Sequence, residues 1–337
     1  GKPFFDRDGT MALKNLPAEL INKVQVSDYK TKKEEYSKSE STSDNSSINL
    51  TIDKEKNRGY FGKFLGGYGT DDRYESSFIV NLFNNNRKIS LLGSSNNINA
   101  PGFSMDEVFD NMGGGRNSRG GTNRAVGKGI TQSNLIGLNY SDEWAKGLQA
   151  SGNYNFSNTD TENLSKSKTI NFLPTGNFTT ESQSKTKNEN TSNKAGFELE
   201  YKAIPSIRIF ASPRFSNSRS NNFSESENSS REENGTLKND SKSKSSSENE
   251  SNNFSNSINF NKSFEKKTRN LSVVLNNNNT KSNSNGITQS ETNYYTTQTS
   301  DKRNQNNLSD NSNDSYSAEI EYTEPVTDSI RFKIGLE

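Results

Sequence analysis

Tyr316-Ser317-Ala318-Glu319-Ile320-Glu321-Tyr322, followed by Ile330-Arg331-Phe332-Lys333-Ile334-Gly335-Leu336, is the stretch that decides the fold. In the first run Tyr316, Ala318, Ile320 and Tyr322 alternate with Ser317, Glu319 and Glu321. In the second, Ile330, Phe332, Ile334 and Leu336 alternate with Arg331, Lys333 and Gly335. Period 2 is the signature of a strand with one apolar and one polar face. Thr323–Asp328, with Pro325, supplies turn chemistry between the runs, so the pair reads as a hairpin.

The same unit recurs upstream. Phe197, Leu199 and Tyr201 alternate with Glu198 and Glu200, turn at Ile204-Pro205-Ser206, and continue as Ile207, Ile209 and Ala211. Ile258 and Phe260 lead through a turn at Glu265–Thr268 to Leu271, Val273 and Leu275. Ile136, Leu138 and Tyr140 lead through Ser141–Lys146 to Leu148, Ala150, Gly152, Tyr154 and Phe156. Tyr60–Tyr68, Tyr74–Phe83 and Arg87–Leu92 begin the array, joined at Gly69–Asp72 and at Asn84-Asn85-Asn86. The count is about eleven strands of ~9–11 residues, the length that crosses a tilted path through a bilayer.

Short turns fall at 84–86, 141–146, 203–206, 265–268 and 323–328. Between them lie four polar stretches, near 97–132, 157–192, 216–254 and 279–314, which read as long loops. Each spans roughly 35–40 residues, beyond the ~12–15 of ordinary connections. Tight turns at one end and long loops at the other describe an all-β transmembrane antiparallel up-and-down β-barrel, seen in part. Its apolar face would meet outer-membrane lipid. Glu198, Glu200, Glu319, Glu321, Arg331 and Lys333 are then the candidate lumen-facing residues. Trp144, beside a short turn, fits an interfacial aromatic girdle. The competing reading of the same pattern is a soluble β-rich repeat protein or surface adhesin.

Composition agrees with this. The 337 residues include 51 Ser and 51 Asn, while Leu, Ile, Val and Phe together fall just under the ~20% level that marks disorder. Charge is nearly balanced, Lys+Arg 42 against Asp+Glu 41, which gives no basic signal for nucleic acid. With no Cys and no His, the chain excludes disulfides, thiolate zinc sites, a Cys nucleophile and Ser-His-Asp catalysis. No run of ~18 apolar residues is present. Gly1 reads as a cut or processed start. No enzyme activity and no cofactor are expected.

Residues 1–58 read as a small α/β piece. Pro17–Ile21 has the form of a helical turn, Lys23–Val26 and Ile48–Ile52 of strands, and Ser27–Ser47 of a loop. The run Leu16–Val26 resembles the end of the plug domain of TonB-dependent outer-membrane receptors. Ile48–Asp53 followed by Gly59-Tyr60-Phe61-Gly62 resembles the plug-to-barrel transition. Gly66–Glu75 is similar to the first hairpin of the outer membrane protein beta-barrel family, which often carries a carboxypeptidase-regulatory-like domain at its N-terminus. Ser94–Gly115 resembles its first large loop, and Tyr322-Thr323-Glu324-Pro325 one of its turns.

The resemblance implies residues 1–58 as the C-terminal part of a plug domain and 59–337 as the N-terminal half of the barrel. Such receptors close with about 22 strands, and Gly335-Leu336-Glu337 lacks their aromatic ending, so the chain reads as part of a longer protein. It further implies import of a bulky solute across the outer membrane of a Gram-negative bacterium. TonB, engaged through a box upstream, is an implied partner. The alternative is a non-transporting scaffold or accessory subunit that binds other outer-membrane proteins or a surface lipoprotein.

Three motifs fall short of a binding site. Gly113–Gly121 with Arg116, Arg119 and Arg124 misses a phosphate loop, because Gly129 stands after Gly127-Lys128 where Ser or Thr belongs. Asp310, Ser312, Asp314 and Glu321 match calcium-loop positions, but Ser315 replaces the required Gly. Sequons such as Asn49-Leu50-Thr51 and Asn270-Leu271-Ser272 are inevitable in so Asn-rich a chain.

Overall fold

The computed structural model describes residues 21–37, 40–52, 58–99, 129–174, 176–266, 268–327 and 330–336. Ahead of the main sheet, β1 (Ile21–Asp28) and β2 (Ser46–Ile52) pair antiparallel. Between them lies a short helix, α1 (Lys32–Ser37), where a loop over Ser27–Ser47 was expected. These are all the helices and strands among the described residues ahead of the main sheet, and they do not by themselves make a plug domain. Residues 17–20 of the expected helical turn, and 53–57, lie outside the described residues; Ile21 opens β1.

The main sheet then runs up and down. Its strands are β3 (Arg58–Tyr68), β4 (Tyr74–Asn84), β5 (Arg87–Asn96), β6 (Ile130–Ala145), β7 (Leu148–Asn171), β8 (Phe178–Ile204), β9 (Ile207–Ala211), β10 (Arg214–Glu232), β11 (Leu237–Ser263), β12 (Asn270–Tyr294), β13 (Thr299–Pro325) and β14 (Arg331–Leu336). Every pairing is antiparallel and between sequence neighbours, except that β9 and β10 share one place between β8 and β11. The break between them falls at Ser212-Pro213, where proline has no N–H to give the ladder. Ser212 still donates to the Ser257 carbonyl (3.0 Å), and the Pro213 carbonyl accepts from Phe197 (3.0 Å), so the chain stays in the sheet. Twelve strands therefore fill eleven positions among the described residues, the number expected from sequence. This large antiparallel sheet has the architecture of a β-barrel wall, with β3 and β14 as its two ends.

The short turns lie close to where they were expected. Asn85 takes a left-handed φ of 54° between β4 and β5, which asparagine tolerates better than most side chains. The turn placed at 141–146 is displaced: β6 continues to Ala145, and Lys146-Gly147 makes the turn with Gly147 at φ 79°.

The polar stretches differ from expectation. Residues 157–192, 216–254 and 279–314 are mostly strand, not loop, and reverse only at tight distal turns near 172–177, 233–236 and 295–298. Of the fourth stretch, 97–132, residues 100–128 lie outside the described residues. β8, β11 and β13 each reach 27 residues, against the ~9–11 expected. At about 3.4 Å per residue, β13 is roughly 90 Å long.

Register defines two faces. Tyr201, Ile209, Phe260, Val273, Ile320 and Leu336 stand opposite one another across six strands. Beside them run Leu199, Ala211, Ile258, Leu275 and Ala318. Leu275 and Ile320 are each 44% exposed, so this apolar face is not covered by the chain itself. On β13 it extends from Tyr316 to Tyr322, about 20 Å of strand, comparable to the ~25 Å apolar band of an outer-membrane barrel. Trp144 sits at its rim, its ring 6.0 Å from Phe197 and its indole N–H donating to the Tyr140 hydroxyl at 2.8 Å. The opposite face holds most of the buried residues, including Ile79, Leu92, Leu135, Asn81 and Asn139 on β4–β6 and Phe210, Asn261 and Ser272 on β9–β12. No helix among the described residues is long and apolar enough to cross a membrane.

Candidate functional site

The site forms where α1 lies on the polar face, packed on β11 and β12. Its local fold begins with Thr31-Lys32-Lys33-Glu34, a capping box. The Glu34 N–H donates to Thr31 Oγ1 at 3.2 Å, and Glu34 Oε2 accepts from the Thr31 N–H at 2.8 Å. The other carboxylate oxygen accepts from the Thr42 N–H (2.9 Å) and hydroxyl (2.6 Å). The Thr42 hydroxyl and the Thr31 and Thr42 amides together hold the buried Glu34 carboxyl down at about 2, from an ordinary 4.5. One side chain thus starts the helix and ties its return segment.

Two adjacent lysines anchor this helix to strands far apart. Lys32 Nζ lies 3.2 Å from Glu200 on β8 and 2.9 Å from Glu35. Lys33 Nζ pairs with both Glu319 and, at 2.9 Å, Glu321 on β13. β8 and β13 are four strand steps apart, about 19 Å along a sheet. Burial works against charging either lysine, but Glu200 and Glu35 for Lys32, and Glu319 and Glu321 for Lys33, outweigh it and raise both above the usual value. Tyr36, 3% exposed, lies between Lys32 (5.7 Å from the ring centre) and the Arg208 guanidinium (5.2 Å). Burial, reinforced by Glu200, pushes its phenol upward. The Lys32 ammonium also sits 5.6 Å over the ring of Phe210.

The candidate residues from sequence are placed as follows. Glu200, Glu319 and Glu321 are gathered by α1. Lys333 joins them, its Nζ 3.7 Å from Glu321. Glu198 lies one inward position along β8 and pairs with Arg214 at 3.4 Å instead. The side chain of Arg331 lies outside the described residues. Lys32, Lys33, Glu34, Tyr36, Arg208 and Phe210 belong to the site and were not picked out from sequence. The capping box was the readable signal for the first three. Phe210, placed opposite Glu200 by register, was hidden by its neighbour Ile209, which carries the apolar face.

This network is a helix held to a wall by compensated charges. Among the described residues, no three side chains suited to a metal ion gather. The calcium-loop pattern is divided by the strand itself: Asp310, Ser312 and Asp314 face one side of β13 and Glu321 the other. Of the glycine-rich segment 113–129, only Gly129 lies within the described residues.

Comparison with known proteins gives the following. No family model and no curated protein matches the chain. Among solved structures, the ferric yersiniabactin uptake receptor from Yersinia pestis is similar at 9% identity and a TM-score of 0.22, over 86% of this chain and 48% of that one. The ferric-catecholate import receptor from E. coli K12, in its open form, is similar at 8% identity and a TM-score of 0.26, over 93% of this chain and 74% of that one. The chain thus spans about half the length of the first and about three quarters of the second.

Proposed function

We propose that this chain forms part of the wall of an outer-membrane β-barrel that imports a bulky solute, with α1 held inside the lumen. One observation carries the reading: an exposed apolar face about 20 Å tall runs continuously over neighbouring strands, while the opposite face is polar and carries the helix. Between β3 and β14 the backbone groups are paired strand to strand, as lipid would demand. Closure through further strands beyond β3 and β14, and energy supplied by TonB, belong to the proposal. So does the absence of catalysis: the wall binds and passes its solute without changing it.

The test is a heat-modifiable shift of the full-length protein on SDS gels, recovery in the outer-membrane fraction, and energy-dependent uptake in cells. Recovery in the soluble fraction refutes the barrel. Membrane recovery without uptake, together with stable co-purification of other outer-membrane proteins, refutes import and leaves a scaffold.

A further inference from the structure

Beyond the apolar belt the strands continue, and their two faces sort by charge. On the face that carries α1, the alternate residues of 157–171 on β7, 180–192 on β8, 216–230 on β10, 239–255 on β11, 276–292 on β12 and 305–317 on β13 are all Ser, Thr or Asn, apart from Gly286 and Gln305. One row, Thr159, Asn190, Ser220, Asn249, Ser284 and Ser309, crosses six strands without a charge. On the other face sit the ion pairs, among them Lys185–Glu162 (2.7 Å), Lys168–Glu181 (2.8 Å), Lys242–Glu227 (2.9 Å) and Lys302–Glu291 (3.0 Å). On the helix-bearing face the charges stand at the margins: Lys194, Glu198, Arg214 and the carboxylates gathered by α1 below, and Glu232 with Asp301 and Arg303, the last two paired at 2.9 Å, near the distal end. The neutral surface on β11 alone is roughly 55 Å long at about 3.4 Å per residue.

We propose that this face binds an uncharged, hydroxyl-rich solute, an oligosaccharide by chemical class, along many weak and equivalent sites. The proposal rests on the lumen reading above. Each Ser or Thr offers one donor and acceptor sites, and each Asn two donors and an acceptor. Cross-strand bonds such as Ser284 to Asn249 (2.6 Å) and Ser251 to Ser282 (3.1 Å) use only part of that capacity. An anion entering would shed hydration and meet no cation; a cation would meet no carboxylate. A sugar exchanges hydrogen bonds with water for equivalent ones with the wall, so contact is nearly neutral in free energy and repeats along the length. Few aromatic rings interrupt the face, so the solute is not gripped by stacking, which suits passage.

The experiment titrates the full-length protein in nanodiscs with three probes of equal length: maltoheptaose, an oligogalacturonate heptamer and a chitosan heptamer. Calorimetry or saturation-transfer NMR reads binding at low and high salt. Expected is weak, salt-independent binding of the neutral probe, with the charged probes weaker by about tenfold or more. Ser251→Asp with Ser282→Asp weakens the neutral probe by about tenfold, the loss of one or two hydrogen bonds. Ser251→Asn retains binding, and Glu227→Gln on the other face leaves it unchanged. Equal or tighter binding of a charged probe, no binding of any probe, or indifference to the paired aspartates overturns the proposal. If the double variant fails to show the heat-modifiable band, the probe comparison on the unaltered protein decides alone. Membrane recovery is scored separately: a membrane-embedded protein that prefers a charged probe loses this inference and keeps the barrel.

Discussion

Glu34→Gln is the sharpest test of how α1 is held. The carboxylate accepts four hydrogen bonds, two from Thr31 and two from Thr42. Its proton affinity falls from 4.5 to about 2, which at ~1.36 kcal/mol per tenfold corresponds to about 3 kcal/mol favouring the folded segment at neutral pH. A glutamine keeps one acceptor oxygen but turns its NH2 toward donors, so about 2 to 3 kcal/mol should be lost. Hydrogen exchange on the amides of 32–42 measures this as a roughly thirty- to hundredfold fall in protection, with the strands unchanged. The sign with pH follows from a depressed carboxyl. The stabilisation is complete above 4.5, and is lost as pH falls toward about 2. Unaltered protein should therefore lose α1 protection on acidification, and the variant should lack that response. Protection in the variant within about threefold of the original, or the same acid response in both, would refute the reasoning.

Other outcomes follow from the same geometry. Leu275→Arg, in the middle of the apolar face, should cost about 2–4 kcal/mol of folding stability in lipid, while Ser282→Arg beyond the belt should cost little; urea unfolding in vesicles compares them. Lys33→Ala leaves the half-buried Glu319 and Glu321 without their shared cation and should raise protease cleavage at α1 about tenfold, with Lys33→Arg restoring resistance. Gly93→Val should cost about 1–3 kcal/mol in the same urea assay, because the Phe78 ring covers the place a side chain would take.

The hairpins around Pro325, Pro205 and Asn85 were legible because their alternation sets apolar against polar residues. The long upper strands were equally periodic but in a different alphabet. Ser241-Lys242-Ser243-Lys244-Ser245 and Ser224-Glu225-Ser226-Glu227 alternate neutral with charged side chains, and hydropathy scores both as polar. What makes them strands is pairing with equally long neighbours, a property of the whole sheet that no single window contains. The acidic wall residues were visible as the polar half of the apolar alternation. Their lysine partners were not, because α1 is six residues long and its contacts to β8 and β13 lie 168 and 286 residues away in sequence. Thr31-Lys32-Lys33-Glu34 alone could have announced the helix.

The polar upper strands have no apolar stripe of their own to say which residue faces which. Strands of that kind specify their alignment weakly. They inherit it from the short belt below, much as the teeth of a zipper inherit theirs from its base. An error of alignment at the belt would therefore be copied along the full height of the strands. One extra residue at Asn256, absent a compensating bulge, would turn Leu237–Ser255 over. Lys242, Lys244 and Glu248 would then stand on the helix-bearing face, and this one strand would be inverted in charge while still paired to its neighbours.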